Sequence, residues 1–225
     1  MSLVVAEVFG PTWQGEGPSL GRTAAFVRLG RCNLACTWCD TPYTWDWSRF
    51  DASVELAELS VDEVLAQVDA MGPVELLVLT GGEPLLQQSR LVPLLAGARA
   101  RGLRTEVETA GTLAPSAAVV DMVDGFNVSP KLANSGNPVE RRWKPDVLAA
   151  FQSTGKAAFK FVVREAAELD EVAAFGVAPV WVMPEGSDAD TLTRRMHDLA
   201  EPVLARGWNL SPRLHVHLWG DRRGV

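Results

Sequence analysis

The sequence predicts an α/β fold built around a parallel sheet. Apolar runs of strand length alternate with amphipathic stretches of helix length, the pattern of successive βα units. Residues with chemical potential repeatedly fall just after the apolar runs, and in an α/β barrel those positions gather at the active end. The 225 residues are enough for one domain with a substantial core, and no internal repeat, heptad run or low-complexity linker divides them. Residues 1–225 are therefore read as a single domain.

Leu3 to Phe9 is apolar with one carboxylate and reads as a first strand or lead-in. Gly10 to Gly21 is rich in Gly and Pro and reads as a loop. It holds Trp13 and the run Gln14-Gly15-Glu16-Gly17. Glycine permits close backbone approach to a ligand. Gln and Glu can pair with the amide and amino edge of a pterin or purine ring; in isolation the run is also an ordinary solvated turn. Thr23 to Leu29 is a buried-strand pattern with Arg28 near its end. A guanidinium within an apolar strand is costly unless paired. It suits a bidentate carboxylate ligand, or a structural ion pair with Glu7 or Glu16.

Gly30 to Phe50 is a loop that holds all three cysteines, Cys32, Cys36 and Cys39, spaced C-x3-C-x2-C. Thiolates suit zinc, Cu(I) and iron–sulfur clusters. A structural zinc needs a fourth ligand, usually as two close pairs, and His197, His215 and His217 lie far along the chain. A [4Fe–4S] cube normally takes four cysteines. With three, one iron keeps an open position, which marks a catalytic rather than a structural metal site. Asp40 and Thr41 follow directly; they offer oxygen ligands of the kind Mg²⁺ takes or a helix N-cap. Trp13, Trp38, Trp45 and Trp47 cluster in sequence around this loop and could exclude water from it, or simply fill core.

Ser60-Val61-Asp62-Glu63 is a capping box that opens a helix over 61–71. Glu75 to Leu79 is a short buried strand followed by Thr80-Gly81-Gly82-Glu83-Pro84. A second helix runs over about 89–101, with Pro93 in its first turn. Strands follow at 104–108 and 123–128, the second ending in Ser129-Pro130-Lys131. Residues 133–143 read as turn-rich. Further on come a strand at 157–163 carrying Lys160, a helix at 165–175, a strand at 177–183 and an amphipathic helix at 189–206 broken at Pro202. Arg213 to Trp219 alternates as a strand would, placing His215 and His217 on one face, where strand-face histidines outnumber ligands. Residues 220–225 form a polar tail.

Taken together, the motifs resemble a known family. C-x3-C-x2-C with an aromatic before the last cysteine is the signature of the radical S-adenosylmethionine (SAM) enzymes. Gln14-Gly15-Glu16-Gly17, Phe26-Val27-Arg28-Leu29, Cys39-Asp40-Thr41, Thr80-Gly81-Gly82-Glu83-Pro84, Glu108-Thr109-Ala110-Gly111-Thr112 and Ser129-Pro130-Lys131 occur in the order seen in 7-carboxy-7-deazaguanine synthases. The resemblance implies an abbreviated, partial TIM-type barrel with a radical SAM core. It implies a [4Fe–4S] cluster on Cys32, Cys36 and Cys39, and Mg²⁺ on Thr41. SAM would lie against Trp38, Cys39, Asp40, Gly82, Glu83, Ser129, Pro130 and Lys131. The substrate, 6-carboxy-5,6,7,8-tetrahydropterin, would meet Trp13, Gln14, Gly15, Glu16, Arg28 and Thr80. A homodimer and a flavodoxin- or ferredoxin-type electron donor are further implications. Ala110 stands where the family usually has Ser, so any side-chain contact from that position is lost.

Two other classes share part of this pattern. A radical SAM activase would keep the triplet and the Gly-Gly-Glu-Pro run but not Gln14, Glu16 and Thr41. An electron-transfer module would carry a cluster without SAM contacts. The net charge of −7 provides no overall basic footprint for nucleic acid. No run of about 18 apolar residues suggests a membrane span, and no basic region precedes the N-terminal apolar stretch as in a signal peptide. Three cysteines without a disulfide framework fit the cytoplasm.

Overall fold

The computed structural model describes residues 2–225. Its strands are β1 (Ser2–Trp13), β2 (Thr23–Leu29), β3 (Ala57–Ser60), β4 (Leu76–Gly81), β5 (Arg104–Thr109), β6 (Gly125–Val128), β7 (Ala157–Val163), β8 (Val180–Pro184) and β9 (Asn209–Leu210). They form one sheet in the order β3-β1-β2-β4-β5-β6-β7-β8-β9. From β2 to β9 every pairing is parallel. β1 runs antiparallel to both β2 and β3. The sheet does not close on itself, so the architecture is a partial barrel. The loop after β1 instead reaches the segment after β9: the Gly17 N–H donates to Ser211 Oγ at 2.8 Å, and the Leu214 N–H to the Gly15 carbonyl at 2.9 Å.

Period-2 alternation divides each strand between two environments. The outward positions Ala25, Val27 and Leu29 of β2, Leu77 and Leu79 of β4, Val107 of β5, Phe126 and Val128 of β6 and Phe159, Phe161 and Val163 of β7 belong to one buried apolar core. After the single turn α1 (Ala52–Glu55), the helices α2 (Val61–Ala70), α3 (Gln88–Ala100), α4 (Ala117–Met122), α6 (Pro145–Ser153), α7 (Leu169–Ala174) and α8 (Ala189–Leu204) cover it, contributing Val64, Leu65, Leu91, Leu94, Phe151 and Leu199 among others. The inward positions form a small second cluster, Ala24, Phe26, Leu76 and Val78, with Phe9 against it. Toward the C-terminal strand ends the inward positions become polar.

The capping box forms as expected: Ser60 Oγ accepts from the Glu63 N–H at 3.2 Å, and the Glu63 carboxylate accepts from the Ser60 N–H at 2.7 Å. Other expectations are corrected. β1 continues to Trp13, through residues read as loop. A short 3₁₀ turn at Pro84–Gln87 precedes α3, which starts at Gln88, so Pro93 lies in the second turn rather than the first. α8 runs unbroken past Pro202 to Leu204, since the missing N–H falls in its last turns. The turn-rich segment contains α5 (Val139–Arg142), with α6 directly after it. Arg213 to Trp219 is not a strand: α9 (Leu214–Trp219) forms there. The alternation of His and apolar residues also fits two turns of helix, and α9 buries Val216 while leaving His217 exposed.

Candidate active site

A cavity of about 420 Å³ opens at the C-terminal ends of the parallel strands. The polar inward side chains of the sheet line it, Arg28 of β2, Thr80 of β4, Glu108 of β5, Asn127 of β6 and Lys160 of β7, with Phe9 of β1 and Phe26 of β2 beside them. The register makes neighbours of them, with Arg28 opposite Thr80 and Glu108 opposite Asn127.

The cysteine loop forms one end of the cavity. Cys32, Cys36 and Cys39 all line it and none is in a disulfide. Each sulfur faces an N–H donor: the Leu34 backbone at 3.4 Å for Cys32, Asn137 Nδ2 at 3.2 Å for Cys36 and Trp45 Nε1 at 3.3 Å for Cys39. Burial pushes the Cys32 thiol up to about 12, only partly offset by the Leu34 N–H. Burial also raises Cys36. A bound cation is what stabilises thiolates in such a place. Among the described residues no three His, Cys, Asp or Glu side chains converge as a single ion requires.

The loop is held by contacts that exclude larger residues. Gly82 lies so close to it that a Cβ there would stand 1.9 Å from the Arg31 carbonyl oxygen. Glu83 is fully buried and accepts from the Leu85 N–H at 3.0 Å, the Thr109 hydroxyl at 2.8 Å and the Ala110 N–H at 2.8 Å. It staples the loop after β4 to the loop after β5 and does not line the cavity, contrary to the expected SAM contact. Pro130 likewise stays outside the lining. The remaining expected SAM contacts, Trp38, Cys39, Asp40, Gly82, Ser129 and Lys131, do line it. Lys131 Nζ donates to Ser129 Oγ at 2.8 Å and sits 5.6 Å from the Trp38 ring centroid. The Ala110 backbone is taken up by Glu83.

A second set of charges surrounds the Gln14-Gly15-Glu16-Gly17 loop. The buried Glu16 carboxylate pairs with Lys160 and with Arg213 Nε at 3.2 Å, and His215 Nε2 stands 3.8 Å away. Burial would raise the Glu16 pKa, but Lys160, Arg213 and His215 outweigh it and hold the carboxyl far below its ordinary range. Arg213 also binds Asp40 and donates to the Gly186 carbonyl at 2.7 Å. It thus joins the first loop, the residue after Cys39 and the turn after β8. Gln14 is buried and internally engaged. Its Nε2 donates to Glu108 Oε1 at 3.1 Å, and its Oε1 accepts from the Glu16 N–H at 3.1 Å. Thr80 donates to the other Glu108 oxygen at 2.8 Å. Gly15 leaves no room for a side chain, because a Cβ would lie 2.2 Å from His215 Nδ1.

Arg28 unites the two readings open to it. Its Nε donates to Glu7 Oε1 at 2.7 Å while the side chain lines the cavity. Thr41 lines it too, its hydroxyl 3.8 Å from Cys39 Sγ. Of the tryptophans, Trp13, Trp38 and Trp45 reach the cavity and Trp47 does not. Trp13 is 45% exposed and stacks on Trp219, centroids 5.8 Å apart.

Sequence reasoning assigned no site role to Glu108, Asn127, Lys160, Arg213 or His215. For Lys160 the signal was present: an ionisable residue at the centre of Ala-Ala-Phe-Lys-Phe-Val-Val is as anomalous as Arg28 in its strand. Arg213 and His215 were hidden by the mistaken strand.

Residues 27–132 match the model of the radical SAM superfamily. The 7-carboxy-7-deazaguanine synthase of Pyrobaculum aerophilum is 39% identical over 98% of this chain and 96% of its own length. The chain belongs to the 7-carboxy-7-deazaguanine synthase family. The family's enzyme from Halobacterium salinarum is 34% identical over 92% of the chain and 87% of its own length. The crystal structure of QueE from Escherichia coli superposes with a TM-score of 0.71 at 27% identity, covering 96% of this chain and 95% of that one. Radical SAM membership brings a [4Fe–4S] cluster and SAM as cofactors. The residues present fit them: three free thiols on one cavity wall, each facing an N–H donor as an electron-rich sulfur ligand does, beside a glycine that leaves the backbone accessible.

Proposed function

We propose that this chain converts 6-carboxy-5,6,7,8-tetrahydropterin to 7-carboxy-7-deazaguanine, with loss of ammonia, in the biosynthesis of queuosine-type 7-deazapurines. One observation carries the reading: the cysteine triplet, Arg28 and Glu16 line the same cavity. Cys32, Cys36 and Cys39 would hold the cluster, which together with SAM would supply the one-electron chemistry.

The chain's residues then bind, orient and shield. Arg28 is held to Glu7 through Nε, which leaves its two terminal nitrogens for the substrate carboxylate as a paired donor. Glu16 is kept ionised and accepts from the amino edge of the pterin. Gln14 fixes the Glu16 backbone. Thr80 and Gly15 shape the same wall. The Gly82 backbone, Ser129, Lys131 and Trp38 hold SAM, with Asp40 fixed beside them by Arg213. Thr41, which lines the cavity, would hold Mg²⁺ through its hydroxyl, and the ion would supply positive charge beside the substrate carboxylate. Trp13, Trp38 and Trp45 exclude water, and fixed geometry sets the single hydrogen to be removed.

The reading includes an external flavodoxin- or ferredoxin-type donor, because no group of the chain can supply the electron. It places the enzyme in the cytoplasm, where three unpaired thiols stay reduced. It also treats 1–225 as one domain and the working unit as a homodimer; the dimer rests on the family resemblance alone. The test is an anaerobic assay of cluster-reconstituted protein with reductant, SAM, Mg²⁺ and the carboxytetrahydropterin. Mass spectrometry should show the ring-contracted product. Formation of 5′-deoxyadenosine without that product would remove the substrate assignment.

A further inference from the structure

Glu7 is a charged residue in an apolar strand, and three segments distant in sequence converge on it. Its Oε1 accepts from Arg28 Nε at 2.7 Å and from the Tyr43 hydroxyl at 2.5 Å, and Arg223 Nε lies 3.5 Å from its Oε2. Arg223 is seated over the Tyr43 ring, Cζ 3.8 Å from the centroid, and its Nη1 donates to Glu55 at 2.8 Å. Among the described residues, every hydrogen bond and ion pair tying 221–225 to the rest of the chain is made by Arg223. Yet Asp221 and Val225 line the same cavity as Arg28. The tail has no regular structure, and 221–224 are exposed.

We infer that Glu7 and Arg223 form a latch that fastens the tail over the cavity and, through the same carboxylate, holds Arg28 in its substrate-binding orientation. Both are positioning residues: they act through Arg28 and through the tail. The planar guanidinium matters at position 223, because it stacks on Tyr43 while donating in its own plane, which an ammonium cannot do. Opening the tail removes one of the two guanidinium partners of Glu7. An open tail and a less restrained Arg28 are therefore one state, and a closed tail and an oriented Arg28 the other. The carboxylate that Arg28 meets rests on the substrate proposed above; the latch does not.

Two measurements on the anaerobic, cluster-loaded enzyme test this. The first is limited trypsin digestion at Arg222, read by mass. Arg223→Ala and Glu7→Gln should release the tail about tenfold faster than the unaltered chain, the equivalent of one charge-assisted hydrogen bond. Arg223→Ala lies on an exposed tail and keeps the test open if Glu7→Gln does not fold. Equal cutting rates in Arg223→Ala and the unaltered chain overturn the latch. The second is steady-state turnover. Arg223→Ala should raise KM for the pterin about tenfold and raise the 5′-deoxyadenosine formed per product, with Arg223→Lys recovering little of either. A merely structural role would lower the melting temperature but leave that ratio unchanged, and an unchanged KM and ratio overturn the inference. Should the unaltered enzyme make no ring-contracted product, the substrate reading fails, while the digestion still decides the latch.

Discussion

The inner face of the sheet has two ends of opposite character, built from the same strands. Toward the N-terminal strand ends, Ala24, Leu76 and Val78 pack together against Phe26, and Phe9 stacks on Phe26 with centroids 4.9 Å apart, the two rings standing where this packing meets the cavity. Two residues further along the same strands stand Arg28 and Thr80, which line the cavity. A step of two preserves the face, so the environment changes from dry packing to chemistry without any change of direction. β5 blurs the contrast. Glu106 sits one inward position below Glu108, raised in pKa by burial and bonded to the Ser19 hydroxyl. Stability and reactivity are thus separated along the strand axis.

Substitutions can break that separation, and the largest effect belongs to the functional end. Replacing Cys32, Cys36 or Cys39 by Ala should abolish the visible absorption of the reconstituted cluster, and SAM cleavage with it. Arg28→Ala should lower kcat/KM for the pterin by about a hundredfold, the scale of two charge-assisted hydrogen bonds, while equilibrium binding of SAM is retained; loss of both would refute its assigned role. That variant also leaves Glu7 short of a partner, so a destabilisation of about 3 kcal/mol is expected in denaturant titration. Leu76→Ala, at a fully buried position outside the cavity lining, is the mirror experiment: about 3 kcal/mol of stability lost to a void, with KM for the pterin nearly unchanged wherever the protein remains folded. A comparable loss of substrate affinity there would erase the distinction between the two ends.

Smaller effects sharpen it. Gly82→Ala would drive a Cβ against the Arg31 carbonyl, costing about 2 kcal/mol by overpacking and slowing cluster assembly. Gly102→Ala, at φ +73° with open space around it, should cost about 1 kcal/mol and leave assembly alone. The smallest effect is the pH profile of the melting temperature. Burial lowers the His215 pKa from its ordinary 6.5, so below pH 6.5 the unfolded chain binds the extra proton and stability falls. Glu16, also lowered, contributes stability that is constant above its ordinary 4.5 and is lost only below it. His215→Asn should therefore flatten the slope just below pH 6.5 and leave the acid limb below 4.5 in place.

Much of this was legible in the sequence. The alternation of strands and helices gave the parallel sheet, and a capping box at Ser60 marked α2. The cysteine triplet, Arg28 and Gln14, Gly15 and Glu16 all line the cavity, while Gly17 turns away to Ser211. What escaped has physical reasons. Glu83 was expected to meet SAM because the Gly-Gly-Glu-Pro run resembles the family's SAM loop; only the fold reveals three internal donors around it. Lys160 and Glu108 are inward residues of buried strands, and parity within a parallel sheet is invisible when both faces are apolar. Arg213 and His215 act across about two hundred residues of sequence, and a six-residue helix offers too few turns to announce its period.

The open seam of the sheet has a further consequence. Where a closed barrel would pair its first and last strands, this chain substitutes Gly17 to Ser211, Leu214 to Gly15, and the ion pairs from Glu16 to Arg213 and from Glu16 to Lys160. The loop proposed to read the pterin is also the clasp of the ring. A molecule bound there acts as one more stave, so occupancy should slow hydrogen exchange at residues 15–17 and 211–215 together, on both sides of a joint that no strand crosses.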